Sequence, residues 1–145
     1  GGEIVARGYN PEKAAWRIGV NKPVDDSLSM NQELQTILQL TDVGMATSGN
    51  YRNFYYKEGK KYAHTINPKT GYPVQHNLLS TTVVAKDCMT ADALATAFMV
   101  MGLEKAEAFA NAHPEIEAYF IYSDEKGNFQ NYFTKGMKKY IAEKQ

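Results

Sequence analysis

Four groups of side chains are equipped for chemistry: the Thr47 and Ser48 hydroxyls beside Gly49, the His64 imidazole beside Thr65, the Asp92 carboxylate, and the Thr96 hydroxyl. Asp92 and Thr96 are four apart, so on a helix they share one face. A carboxylate and a hydroxyl are hard oxygen donors, and the pair suits magnesium better than zinc. Each also has an ordinary reading. An aspartate in a first turn complements the helix dipole, and a threonine can bond back to the carbonyl of the preceding turn. Yet the stretch from Ala91 to Val100 is otherwise nearly all apolar, so a carboxylate on it needs a reason unless it faces water. A neutral His64 could take a proton from an alcohol. From position alone, the plainer reading is a histidine at a strand end satisfied by backbone, and that reading is favoured.

Several familiar machineries are missing. No aspartate lies near His64 in sequence to complete a serine-type triad, and Ser48 has no Gly-x-Ser-x-Gly elbow. His76 and His113 show no metal-ligand spacing with His64, which argues against zinc. Thr47-Ser48-Gly49 resembles a ligand-binding turn, but the chain carries neither P-loop spacing nor a Rossmann fingerprint.

The elements around these residues predict how they meet. Residues 51–56 are rich in strand-forming aromatics, residues 61–66 read as the returning strand, and Lys57-Glu58-Gly59-Lys60 suits a hairpin connection. Such a hairpin would bring Thr47-Ser48-Gly49 against His64-Thr65. Asn67-Pro68-Lys69-Thr70-Gly71 then turns the chain away. Upstream, residues 3–7 and 14–20 read as strands, with Trp16, Ile18 and Val20 in period-2 alternation. Residues 34–41 also lean to strand. Residues 79–85, with Val83 and Val84, carry a buried-strand signal. Residues 89–101 form the clearest helix, capped by Asp87 or Thr90 and stopped by Gly102. Residues 103–112 form a second helix, residues 116–122 and 128–133 a hairpin, and residues 136–144 a short amphipathic helix. This order predicts an α+β fold: a mostly antiparallel sheet with two or three packed helices.

Composition narrows the function classes. The 145 residues suit one domain or part of a larger one, and 43% hydrophobic residues supply a core. Sixteen basic and sixteen acidic residues balance to zero, so nucleic acid is a poor partner. The lone Cys88 cannot form an intramolecular disulfide. No stretch is apolar for long enough to span a membrane as a helix. The chain opens on Gly1-Gly2-Glu3 without methionine, which suggests a fragment or a processed form.

Taken in order, the motifs resemble the C-terminal half of the ApbE family, the FAD:protein FMN transferases. They are Gly1-Gly2-Glu3-Ile4, Trp16, Ala46-Thr47-Ser48-Gly49, His64-Thr65-Ile66-Asn67-Pro68-Lys69-Thr70-Gly71, Ser80-Thr81-Thr82-Val83 and Ala91-Asp92-Ala93-Leu94-Ala95-Thr96-Ala97. Each is weak alone, but six in sequence are specific. Asn67 stands where many members have aspartate; it keeps the turn-forming capacity.

The resemblance implies a magnesium-dependent transfer of FMN from FAD to a threonine or serine hydroxyl of an acceptor flavoprotein, with release of AMP. It implies Asp92 and Thr96 as metal ligands and His64 as the base, with Thr47, Ser48, Gly49, His64 and Thr65 lining the flavin site. An FAD pyrophosphatase and a non-catalytic flavin-binding domain are the alternatives. Residues 1–145 would form the C-terminal part of the domain, with the N-terminal half and its share of the site absent. A chain in that state is expected to self-associate or to seek the missing half. By the same resemblance the protein would be a periplasmic or membrane-anchored bacterial lipoprotein.

Overall fold

The computed structural model describes residues 2–21, 34–49, 54–57, 60–63, 65–74 and 76–142. Its centre is a strand buried on both faces, Leu78–Ala85, in which six consecutive residues from Ser80 to Ala85 are buried. The apolar and hydroxyl side chains of Ser80-Thr81-Thr82-Val83-Val84 leave neither face fit for water, so layers cover both.

In chain order the strands are β1 (Glu3–Ala6), β2 (Trp16–Asn21), β3 (Leu34–Leu40), β4 (Val43–Gly49), β5 (Phe54–Lys57), β6 (Lys60–Ala63), β7 (Leu78–Ala85), β8 (Glu117–Ser123) and β9 (Phe129–Phe133). The helices are α1 (Cys88–Met101) and α2 (Leu103–Ala112). Strands β1-β4-β7-β8-β9 form one sheet in that order, with every neighbouring pair antiparallel. β2 pairs with β3, and β5 with β6, as separate antiparallel ribbons. The α+β expectation holds.

Strand alternation divides the core in two. Ala46, Val83, Ala85, Ala118 and Phe120 face α1 and α2, meeting Ala91, Ala95, Phe98, Ala106 and Ala110. Met45, Val84, Tyr119 and Ile121 face the other way, onto Val20, Leu38, Leu40 and Met137. The alanines on α1 let it lie close to the sheet. Gly44 lets it lie closer still, because a Cβ there would meet the Asp87 carbonyl oxygen at 2.7 Å. Asp87 caps α1, its carboxylate accepting from Thr90 N at 2.8 Å, and Gly102 ends it at φ 79°.

Two expectations are corrected. Thr47-Ser48-Gly49 is not a turn but the last part of β4, paired to Thr82, Thr81 and Ser80 of β7. The C-terminal element is a 3₁₀ helix over Lys135–Tyr140, earlier and tighter than the expected helix. Thr134 opens it, and its buried hydroxyl donates to the Glu117 carboxylate.

Candidate active site

The 92/96 pair sits where expected and has company. Both residues are exposed on α1, and apart from them the stretch from Ala91 to Met101 is apolar. Asp92 lies past the first turn, which carries no acidic residue, so the dipole no longer accounts for it. Helix height over the sheet is set by Thr81, a fully buried β7 residue whose hydroxyl donates to the Ala95 carbonyl at 2.7 Å. That bond fixes the backbone beside Thr96.

Ser48 reaches the same place from below. It shares the helix-facing side of β4 with Ala46, two residues earlier. Its hydroxyl lies 3.1 Å from the Thr96 hydroxyl. Thr47 points to the opposite face, where its hydroxyl bonds that of Thr82 at 2.9 Å. The sequence-predicted trio therefore divides: Ser48 joins the Asp92–Thr96 face, Thr47 anchors β4 from behind, and Gly49 closes the strand opposite Ser80.

Glu3 is the residue sequence reasoning left without a role. It pairs with Ala46 and so projects toward α1, where its carboxylate meets that of Asp92. Hydrogen bonds from the backbone N–H of Gly2, then from its own, hold the Glu3 carboxyl below the usual range, and the Asp92 contact acts in the same direction. The start of β1 is held by the bond from Thr47 N to the Gly2 carbonyl at 3.1 Å. A side chain at position 2 would meet the Thr47 carbonyl oxygen at 2.6 Å, so the glycine is a packing requirement. The signal for Glu3 was present only as a motif letter, because nothing in its spacing to Asp92 predicts contact.

Thr65 lies in the loop after β6. Its carbonyl accepts from Val74 N at 3.0 Å, and Ile66 bridges to Pro73. The Asn67 side chain accepts from Lys69 N at 2.9 Å, and its carbonyl accepts from Gly71 N at 2.8 Å, with Gly71 at φ 72°. Asparagine thus does the turn work expected of an aspartate there. The hairpin forms as β5–β6. His64, and residues 50–53 that would lead β4 into the hairpin, lie outside the described residues, so the expected meeting of His64-Thr65 with Ser48 does too.

The donor set suits a hard cation. Glu3 and Asp92 supply carboxylates, Thr96 and Ser48 hydroxyls, and every donor is oxygen. The two carboxylates side by side add negative charge at one place, which favours a cation there. Among the described residues no three His, Cys, Asp or Glu side chains cluster.

The sequence pattern of the ApbE family matches residues 1–120. The FAD:protein FMN transferase of Vibrio cholerae is 40% identical over 142 residues, covering 98% of this chain and 41% of that protein. The enzyme of the same name from Escherichia coli is 35% identical over 142 residues, with 98% and 39% covered. Among solved structures, the flavin transferase ApbE of Vibrio cholerae superposes with a TM-score of 0.78 at 38% identity, over 97% of this chain and 42% of that one. The Thermotoga maritima ApbE protein gives 0.74 at 28% identity, over 94% and 41%. The chain therefore spans about two fifths of the length of these relatives. With the family pattern running through β1, β4, β7 and α1, the elements that carry Glu3, Ser48, Asp92 and Thr96, this chain belongs to the ApbE family.

Proposed function

We propose that the protein containing this chain transfers FMN from FAD to a threonine or serine hydroxyl of an acceptor flavoprotein, releasing AMP, and that this chain supplies the cation-holding face of the site. The observation that carries the reading is the Asp92–Thr96 pair: two oxygen donors one helical turn apart, exposed on an apolar helix and joined by Ser48 from β4. The relatives' name, FAD:protein FMN transferase, supplies the reaction class.

Asp92 and Thr96 would hold a magnesium ion, with Glu3 beside Asp92 adding negative charge. Bound there, magnesium would supply Lewis-acid stabilisation of the pyrophosphate charge. The chain's own residues do the rest. The end of β4 presents Ser48 and Gly49 to the flavin nucleotide, and Thr65 with the Asn67 turn borders it. His64 removes the proton from the incoming hydroxyl, the work of a general base. The new bond joins that hydroxyl oxygen to the FMN phosphorus as the bond to the AMP phosphate oxygen breaks. Such phosphoryl chemistry rests on positioning and electrostatics, which suits a site with few reactive side chains. A periplasmic or membrane-anchored setting accompanies this reading.

Product analysis tests it. The full-length natural protein is incubated with FAD and magnesium, with and without an acceptor flavoprotein. Transfer predicts AMP release together with FMN bound covalently to the acceptor. Free FMN and AMP in equal amounts whether or not acceptor is present would mean hydrolysis by water instead. Unchanged FAD would leave a flavin-binding domain without activity.

A further inference from the structure

We infer that Ser48 is a positioning residue for Thr96: its hydroxyl accepts the Thr96 O–H, and so turns a Thr96 lone pair outward, toward the Asp92 side. The inference rests on the reading of Asp92 and Thr96 as cation ligands, and goes beyond it by giving Ser48 a task other than lining the flavin site.

A threonine hydroxyl has one hydrogen and two lone pairs. To offer a lone pair to a cation it has to send its hydrogen elsewhere. Inside a helix the ordinary destination is the carbonyl of the preceding turn, and that choice fixes the hydroxyl against the helix. Here the hydroxyl has another partner, Ser48 Oγ at 3.1 Å, on a different element. The distance is held from both sides. Ser48 pairs with Thr81 in the β4–β7 register, and the Thr81 hydroxyl bonds the Ala95 carbonyl at 2.7 Å. One buried residue thus ties the strand carrying Ser48 to the helix carrying Thr96. Thr47 adds a second tie from the far face, through its 2.9 Å contact with Thr82. Partners of this kind, which touch a ligand and not the ion, set ligand orientation and basicity.

Manganese, as a paramagnetic stand-in for magnesium, is titrated into the full-length natural protein without FAD and followed by electron paramagnetic resonance. Ser48→Ala is expected to weaken manganese binding about 10- to 100-fold, and Ser48→Thr, which keeps the acceptor, to stay near wild type. Thr96→Ala should weaken binding as well, and adding Ser48→Ala to it should cost nothing more, because the group being oriented is already gone. A Ser48→Ala protein that binds manganese like wild type but melts earlier would make the contact a strand–helix tie only, and overturn the inference. A Ser48→Ala loss confined to FAD affinity would overturn it in favour of a flavin contact. If Asp92→Ala also leaves manganese binding untouched, the cation reading itself fails. If Asp92→Ala abolishes binding and Ser48→Ala does not change it, only the role of Ser48 fails.

Discussion

Gly44→Ala puts the architecture of the site to a mechanical test. Gly44 lies in β4, paired to Val5 on one side and Ala85 on the other, directly under the start of α1. A Cβ at this position would meet the Asp87 carbonyl oxygen at 2.7 Å, with the Cys88 nitrogen nearer still, whereas ordinary contact begins at 3.4 Å. These are backbone atoms and cannot swing aside. β4 is held in register on both edges, so the helix has to lift by about 1 Å at its first turn, an overpacking strain of about 1–3 kcal/mol. For a chain of this size each kcal/mol is worth about 2–4 °C of Tm. The lift does not spread evenly. Asp92 lies four residues from Cys88, about 6 Å along the axis, and moves with the first turn. Thr96 is restrained by the Thr81–Ala95 bond beside it. The two donors therefore lose their relative position, and cation affinity should fall about tenfold along with stability, as for other displaced metal-site partners. Thermal unfolding and manganese titration of the same preparation read both effects. A Gly44→Ala protein with wild-type Tm would refute the close approach of α1 to β4, and with it the account of how the site is assembled.

Asp92→Ala should abolish metal-dependent turnover with little loss of Tm, since the side chain is exposed; Thr96→Ala should be milder because water can replace a neutral hydroxyl, and metal titration beside a melting curve separates the two. His64→Ala is expected to slow transfer by roughly 10²–10⁴-fold while FAD affinity changes much less; equal losses in rate and binding would make it a binding residue. Asp87 gives a pH signature. Its backbone bond from Thr90, then the Thr90 side chain, hold its carboxyl below the ordinary 3.8. A lowered folded-state pKa adds stability above the unfolded value and loses it as pH falls through the folded one. The urea midpoint of wild type should therefore exceed that of Asp87→Asn at neutral pH, and the gap should shrink as pH falls below the ordinary carboxylate value toward the lowered one; a gap that widens in acid would contradict the cap.

What the sequence revealed follows from how local each signal is. α1 was readable because alanine, leucine and methionine at helical spacing, an Asp87 cap and a Gly102 stop all agree within one stretch. β7 was readable because a strand buried on both faces is apolar or hydroxyl-bearing throughout. The Asp92–Thr96 pair needed only the helical repeat. Thr47-Ser48-Gly49 misled because small hydroxyl residues with a glycine fit a turn as well as a strand, and only pairing to β7 decides for strand. The C-terminal segment carried an amphipathic pattern, which does not distinguish an α-helix from the short 3₁₀ turn that forms over Lys135–Tyr140. The meeting of Glu3 with Asp92 was illegible for a simpler reason. It joins the first strand of the sheet to a helix far along the chain, and no local pattern encodes that contact.

In the proposed reaction, flavin transfer depends on the cation face built from Asp92 and Thr96. Intact-mass spectrometry of an acceptor flavoprotein, after incubation with FAD, magnesium and the full-length protein, tests it most directly. The wild-type protein should leave the acceptor heavier by one esterified FMN, and a folded Asp92→Ala variant should leave its mass unchanged. An acceptor modified equally well by the variant, or left unmodified by the wild type while FAD persists, would contradict it.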